Sequence, residues 1–192
     1  LKPTDTVLIH AAAGGVGLAA VEVAAARGAT IIATAGAQDR LVAAVAHGAD
    51  HGINYRDDAW IGQVKDLTDG RGADVILDPV GGEIGENSLK CIALDGKLLI
   101  VGFSSGKMPT LAPHRLLLKR ASAIGVYWNH DTDQKMVTET THELERLVES
   151  GKINPMVDDR YGFDGLPLAL DDLANRRVAG KMVLRISEMD KA

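Results

Sequence analysis

A short run of small residues, placed between an apolar segment and a helix-period segment, constrains the fold of this chain most. The apolar segment TVLIH (6–10) is typical of a buried strand, and residues 15–28 have the pattern of a helix that ends at Gly28. Between them lies AAGGVG (12–17), which fits the pattern A-x-G-x-x-G. This is the dinucleotide-binding fingerprint with alanine in place of its first glycine.

Each small residue in this run has a physical use at a phosphate site. The chain must turn sharply, and at Gly14 the main chain can approach a diphosphate because no Cβ intervenes. At Gly17 the helix can sit close to the strand, and its first turn offers free N–H groups and about half a positive charge. The same turn could also serve packing alone, so the sequence leaves both interpretations open.

The rest of residues 1–130 repeats an alternation of short apolar runs and helix-period segments. The strand candidates after the first are TIIAT (30–34), GIN (52–54), DVILD (74–78), KLLIVGF (97–103) and SAIGVYW (122–128). Their apolar residues are continuous, which is typical of strands buried on both faces of a parallel sheet. We therefore predict an α/β fold, a Rossmann-type doubly wound sheet of six parallel strands.

The last third of the chain has a different pattern. Residues 133–151 indicate one long helix, residues 161–177 contain another, and residues 181–186 indicate a strand. A single strand after two helices does not extend the parallel alternation. We expect residues 131–192 to form a C-terminal return segment that packs outside the sheet.

Charge and composition exclude several classes of partner. The net charge of −5 and pI near 5.6 argue against nucleic acid or an anionic membrane as a partner. The longest uncharged stretch, residues 6–21, is shorter than the roughly 20 apolar residues of a membrane helix. The single cysteine, Cys91, excludes an internal disulfide and is typical of a reducing compartment, so we expect a cytoplasmic protein.

The end of the second strand bears on which nucleotide would fit. An NAD site usually carries an acidic residue there to hold the ribose hydroxyls, but this chain has TAGA (34–37), followed by Arg40. A missing carboxylate removes repulsion from a 2′-phosphate, and a guanidinium can bind one. The pattern favours NADP(H) over NAD(H), unless Arg40 is an ordinary solvated residue of its helix.

Other motifs do not lead to a catalytic residue. GFSSG (102–106) matches a nucleophile elbow, but the following KMP resists the helix that a hydrolase needs. Neither a P-loop nor the Tyr-x-x-x-Lys pair of short-chain dehydrogenases is present. His47 and His51 are spaced like helical zinc ligands, but Gly48 interrupts them and no third ligand is near, so we predict no metal site.

Five segments together resemble a known family. VLIHAAAGGVG, GADHGINYRDD, DVILDPVGG, GKLLIVGFSSG and AGKMVLRI are similar, in the same order, to the NADPH:quinone oxidoreductase (zeta-crystallin-like) branch of the medium-chain dehydrogenase/reductases. The resemblance implies that residues 1–130 form the NADP-binding domain. It also implies that residues 131–192 return toward a catalytic domain that this chain does not contain.

The resemblance implies a set of cofactor-binding residues by position. Those near the diphosphate would be Gly14, Gly15, Val16 and Gly17, and those near the 2′-phosphate and its ribose would be Gly36, Arg40, Tyr55 and Arg176. Those near the nicotinamide end would be Asp78, Pro79, Val80, Gly81, Gly102, Phe103, Ser104, Val126 and Tyr127. Tyr55, Phe103 and Val126 have a plain alternative as packing residues.

The activity that the resemblance implies is NADPH-dependent hydride transfer to a quinone or an α,β-unsaturated carbonyl compound. The alternatives are a zinc-type alcohol dehydrogenase relative and a nucleotide-binding module without catalysis. The expected partner is a small-molecule substrate. The apolar edge strand at residues 121–128 also predicts a homodimer, because an exposed strand edge needs cover.

Overall fold

The computed structural model describes residues 1–186, so the last six residues of the predicted return segment, 187–192, lie outside the described part. The first 125 residues alternate between strands and helices. The strands are β1 (Thr6–Ile9), β2 (Thr30–Ala35), β3 (His51–Asn54), β4 (Ala73–Asp78), β5 (Ile92–Ile100) and β6 (Ser122–Gly125). The helices are α1 (Gly15–Ala26), α2 (Gln38–Ala46), α3 (Trp60–Asp66), α4 (Gly82–Ser88) and α5 (Pro113–Lys119).

These six strands form one sheet in the order β3-β2-β1-β4-β5-β6, and every neighbouring pair is parallel. This confirms the predicted Rossmann-type doubly wound sheet. The chain leaves β1 toward β2 and β3 and later returns to β4 on the other side of β1. Ligands of such sheets bind at this reversal, outside the carboxyl ends of the strands.

Apolar side chains cover both faces of the sheet. One buried cluster contains Leu8, Ile32 and Leu98 together with Trp60 of α3. The other contains Val7, Ile9 and Ile31 with the small residues of α1. Consecutive residues of one strand therefore enter opposite cores, which explains why the strand sequences are continuously apolar.

Close packing of α1 on the sheet depends on one glycine. A Cβ built at Gly17 would lie 2.3 Å from the carbonyl oxygen of Ala11, where no side chain can be placed. The helix ends before Gly28, whose φ of +74° is the left-handed conformation that glycine adopts most readily. The sequence had predicted both features.

The return segment forms its own small layer. It contains α6 (Gln134–Glu149), β7 (Val157–Gly162), a 3₁₀ turn (Phe163–Gly165), α7 (Leu166–Ala174) and β8 (Lys181–Arg185). Strands β7 and β8 pair in parallel as a separate two-stranded sheet. The segment reaches the glycine turn after β1, where Gly180, the residue before β8, forms an isolated bridge with Gly14.

Two predicted strands end too late. Strand β5 begins at Ile92 and ends at Ile100, not at 103, because its partner β4 ends at Asp78, which pairs with Ile100. Strand β6 ends at Gly125 and not at 128, since its partner strand has already ended, and all four of its residues are exposed. Helix α7 lies within 161–177, as predicted, but β7 was missed because its VDDRYG sequence is polar.

Candidate functional site

A cleft of about 440 Å³ lies at the carboxyl ends of β1 and β2, where the strand order reverses. Its floor is the glycine turn between β1 and α1. Its sides come from the end of β2, the loop after β3, and the segment between α7 and β8. The lining residues are Ala11, Ala13, Gly14, Gly15, Ala35, Gly36, Ala37, Arg40, Tyr55, Arg56, Val80, Ser104, Leu173, Asn175, Arg176, Val178 and Gly180.

The glycine turn presents bare main chain to this cleft. The first bond within α1 runs from the N–H of Leu18 to the carbonyl oxygen of Gly14, at 2.8 Å. The N–H groups of the helix's first turn therefore have no intrahelical acceptor. No acidic side chain occupies that turn, and Gly14 caps it without a side-chain hydrogen bond. An anion placed there would meet the N–H groups and the positive end of the helix.

Three arginines line the cleft, namely Arg40, Arg56 and Arg176. Within residues 1–186, no aspartate or glutamate lines the cleft, and none of the three arginines forms an ion pair. The cleft therefore has a positive potential and free donors for a doubly charged anion.

Gly36 is placed directly under two of the lining side chains. A Cβ built there would lie 3.1 Å from the hydroxyl oxygen of Tyr55 and 3.2 Å from Nε of Arg56. Any larger residue would push these side chains outward. Similarly, a Cβ at Gly15 would lie 2.7 Å from Cδ of Lys181, so this lysine covers the start of α1.

His10 is buried beneath the cleft and ties three elements together. Its Nδ1 lies 2.8 Å from the Thr34 hydroxyl, and its Nε2 lies 2.9 Å from the Ser88 hydroxyl. Because Ser88 donates to the carbonyl oxygen of Ile84, we assign the imidazole proton to Nε2, and Thr34 then donates to Nδ1. Burial lowers the pKa of His10 to about 3. The imidazole is therefore neutral near pH 7 and serves as a positioning group.

Asp78 shapes the turn after β4. Its Oδ1 accepts hydrogen bonds from the N–H groups of Val80 and Gly81, at 2.8 and 2.9 Å. Its Oδ2 is buried and has no hydrogen-bond partner within residues 1–186. Burial raises the pKa of Asp78, and the two backbone hydrogen bonds oppose that shift. This carboxyl group organises the loop that carries Val80 to the cleft.

The structure brings part of the predicted site together. Eight predicted residues line the cleft, namely Gly14, Gly15, Gly36, Arg40, Tyr55, Val80, Ser104 and Arg176. Others lie in the supporting turns or along the loop after β5, outside the lining: Val16, Gly17, Asp78, Pro79, Gly81, Gly102 and Phe103. Val126 and Tyr127 follow β6 and are 45% and 82% exposed, away from the lining.

Sequence reasoning missed several lining residues. Arg56 follows the predicted Tyr55 directly in the INYR segment, and this neighbouring positive charge was the signal for it. Four alanines, Ala11, Ala13, Ala35 and Ala37, are sequence neighbours of the predicted Gly14 and Gly36. The remaining residues could be found only from the three-dimensional path of the chain. Leu173, Asn175, Val178 and Gly180 come from the return segment, and no local pattern indicates that this segment reaches the glycine turn.

Residues 1–186 hold neither a cluster of metal ligands nor a helix suited to crossing a membrane. No three histidine, cysteine, aspartate or glutamate side chains come together as metal ligands, so the described residues offer no zinc site. None of the described helices combines the length and the apolar character that a membrane crossing requires.

Comparison with known proteins identifies the family of this chain. The sequence profile of the family described as "Zinc-binding dehydrogenase" matches residues 15–148. A quinone oxidoreductase-like protein 2 homolog of Nematostella vectensis is 36% identical over 192 residues, which is 98% of this chain and 52% of that protein. The chain thus spans about half the length of the curated relatives it matches.

Solved structures agree in fold at similar coverage. An Escherichia coli quinone oxidoreductase complexed with NADPH has a TM-score of 0.84 and 32% identity, covering 97% of this chain and 58% of that one. An NAD-dependent alcohol dehydrogenase has a TM-score of 0.86 and 35% identity, covering 97% and 52%. The chain therefore belongs to the zinc-binding dehydrogenase family, as a cofactor-binding domain of the quinone oxidoreductase branch of the medium-chain dehydrogenase/reductases.

Proposed function

We propose that the cleft binds NADP(H) and that the protein uses it to reduce a quinone or an α,β-unsaturated carbonyl compound. The observation that carries the cofactor assignment is the presence of Arg40, Arg56 and Arg176 in a lining where, within residues 1–186, they have no ion-pair partner and no carboxylate is present. Such a site favours the 2′-phosphate that distinguishes NADP(H) from NAD(H).

In this proposal, residues of the chain also contact the diphosphate and the two riboses of the cofactor. The first turn of α1, over Gly14 and Gly15, would bind the diphosphate through main-chain N–H groups. Tyr55 and Arg56, lying over Gly36, would enclose the adenosine ribose and its phosphate. Val80 and Ser104, at the other end of the cleft, would border the nicotinamide ribose. The bound cofactor supplies a hydride, and the protein supplies position and electrostatics.

The substrate class is supported by the similar proteins. The Nematostella vectensis protein is named a quinone oxidoreductase-like protein and the Escherichia coli enzyme a quinone oxidoreductase. We place the protein in the cytoplasm, consistent with a single buried cysteine.

Titration of NADPH and NADH against the wild type and Arg40→Glu tests the cofactor assignment. We expect the wild type to bind NADPH more tightly and Arg40→Glu to lose that preference, because the new carboxylate repels the 2′-phosphate. Tighter binding of NADH by the wild type contradicts the assignment. Assays of the protein at its natural length with quinones, enones and alcohols then test the reaction.

Alcohol oxidation is the second candidate function, because an NAD-dependent alcohol dehydrogenase is among the similar structures. Zinc-dependent oxidation of an alcohol in the same assays would favour it. Nucleotide binding without turnover of any substrate would instead favour a binding module. Within the described residues no three possible metal ligands come together, so the assays decide between the candidates.

The exposed edge of β6 supports a two-fold homodimer. The N–H of Val126 points inward to the carbonyl oxygen of Ile100, at 2.9 Å, so by alternation the N–H groups of Ala123 and Gly125 point outward. Apolar side chains flank this edge, with Ile124 and Trp128 both exposed. Ala123→Pro removes one outward donor, and we expect light scattering to show a monomer. A dimer that persists in this variant contradicts pairing through β6.

A further inference from the structure

We infer that the chain has a second anion-binding site, at the edge of the sheet opposite the cofactor cleft. A cavity of about 400 Å³ lies where the chain enters β4 and β5. It is lined by the loop at 70–72, the connection at 89–92, Lys65 of α3, and one face of α5. Its position separates it from the proposed cofactor site, so the inference does not depend on the proposed function.

The charge of this cavity is opposite to that of the whole chain. The cavity is lined by Lys65, Arg71, Lys90, Arg115 and Lys119, together with His114, and by no aspartate or glutamate of residues 1–186. The chain as a whole has 26 acidic and 21 basic residues. Several like charges around a concave surface reinforce one another and attract a multiply charged anion.

Four of these cations have no intramolecular partner among residues 1–186. The guanidinium of Arg71 is occupied, since it contacts the Asp74 carboxylate and donates to the Thr6 hydroxyl at 3.2 Å. Within the described residues, the other four positive side chains form no ion pair. Their mutual repulsion is therefore not balanced by the protein and would be relieved by an anion.

Helix ends account for only part of this cluster. Lys65 and Lys119 lie in the last turns of α3 and α5, where a cation is stabilised by the helix dipole. Arg115 lies in the first turn of α5, where the same dipole disfavours a cation. It lies on the same face of α5 as Lys119, four residues later, and both line the cavity. The helix dipole therefore does not explain why Arg115 lies beside Lys119 at the cavity.

The floor of the cavity is preformed. Gly72 has φ of +90°, and a Cβ there would lie 2.5 Å from the carbonyl oxygen of Cys91. The N–H of Gly72 donates to the Thr68 hydroxyl, and the N–H of Ala73 donates to the carbonyl oxygen of Cys91, both at 2.9 Å. Burial raises the pKa of Cys91 to about 12, so its thiol contributes no negative charge. The backbone at the floor of the cavity is therefore held in one conformation by close packing and hydrogen bonds.

The ligand class follows from size and lining. A volume of about 400 Å³ exceeds the need of a single phosphate ion and lies within the range of small-molecule sites. Within residues 1–186, no phenylalanine, tyrosine or tryptophan lines the cavity, so it lacks the large rings that stack a nucleobase best. The structure assigns the cavity to a small anion with two or more phosphate groups.

The test uses inorganic diphosphate, with inorganic phosphate in a parallel titration, followed by amide NMR on the protein at its natural length. We expect diphosphate to shift the amide signals of Gly72 and Cys91 at lower concentration than phosphate does. In Lys90→Gln/Arg115→Gln, diphosphate binding at these amides should weaken about tenfold or more, since two charge-assisted contacts are lost.

Two control variants test whether the diphosphate response depends on the charges of this cavity. Arg40→Gln/Arg56→Gln removes charge from the cofactor cleft, and Lys97→Gln/Lys152→Gln removes exposed charge outside both sites. Both should retain the diphosphate response of Gly72 and Cys91. The inference is overturned if these amides do not respond, if all three variants weaken the response equally, or if phosphate binds as tightly as diphosphate.

Discussion

Gly180 donates its backbone N–H to the carbonyl oxygen of Ala13, at 2.9 Å, and this bond ties the return segment to the glycine turn. The two residues are far apart in sequence, but both line the cofactor cleft. The next residue, Lys181, donates its N–H to the carbonyl oxygen of Met156 at 3.0 Å. The turn proposed to hold the diphosphate is therefore supported from the side by β8 as well as by its own strand and helix.

Gly180→Ala should weaken both this support and the fold. Gly180 has φ of +68°, and a Cβ there would lie 2.4 Å from the carbonyl oxygen of Met156. We expect the free energy of unfolding to fall by roughly 2–4 kcal/mol, from left-handed strain plus the steric clash. Denaturant titration measures the loss, and NADPH titration should show weaker binding.

Gly151→Ala is the matched control for this prediction. Gly151 also has φ of +68°, but a Cβ there would have nothing within 4 Å. The free energy of unfolding of Gly151→Ala should therefore fall only by the backbone strain, about 1–2 kcal/mol. The variant should bind NADPH as the wild type does. Equal losses in the two variants would show that contact with Met156 is unimportant.

Gly17→Ala tests the close packing of α1 on the sheet. The new Cβ would lie 2.3 Å from the Ala11 carbonyl oxygen, so the helix must move away from the strand. We expect a loss of roughly 1–3 kcal/mol in the free energy of unfolding. In Gly62→Ala the helix α3 gains a methyl group with nothing within 4 Å, and stability should rise by up to about 1 kcal/mol. A stabilising Gly17→Ala would contradict the packing role.

The sheet and its glycine turn were predictable because their signals are local. The continuous apolar strands reflect burial on both faces, and AAGGVG (12–17) must be small where Gly17 meets Ala11. The return segment was less predictable. Strand β7 is polar, and within the described part of the chain it pairs with β8 alone, so its sequence lacks the apolar pattern of a core strand.

The residues of the candidate site also form two groups, those with a local sequence signal and those placed by long-range contacts. Gly14, Gly36 and Arg40 are close to a recognisable motif or to the end of β2, and the sequence indicated them. The sequence did not indicate Lys181, whose position over Gly15 depends on how β8 docks. Residues brought by long-range contacts leave no periodic signal, because their placement depends on the assembled fold and not on neighbouring residues.

Arg56→Gln should separate the two nicotinamide cofactors. If its guanidinium binds the 2′-phosphate, NADPH binding weakens about tenfold, as expected for one lost charge-assisted contact, and NADH binding stays unchanged. Lys181→Gln is the contrasting variant, because Lys181 lies over Gly15 at the proposed diphosphate site. We expect Lys181→Gln to weaken the binding of NADPH and of NADH by the same factor. Fluorescence titration measures all four affinities, and equal loss of NADPH and NADH in Arg56→Gln would exclude its role in discrimination.

The buried imidazole of His10 should make stability depend on pH. Its pKa is about 3 in the folded chain and near 6.5 when unfolded, so between these values the unfolded state binds the additional proton. Stability from this group is complete above about pH 6.5 and is lost as the pH falls toward 3. Between pH 7 and pH 5 the loss should be about 2 kcal/mol.

Urea titrations at pH 7 and pH 5, on the wild type and on His10→Gln, isolate this contribution. The variant is expected to be less stable at pH 7, since glutamine cannot reproduce both bonds to Thr34 and Ser88 in the same packing. Its further loss on acidification should be smaller than that of the wild type by about 2 kcal/mol, because all other titrating groups are shared. Identical pH dependence in the two proteins would contradict the lowered pKa of His10 in the folded chain.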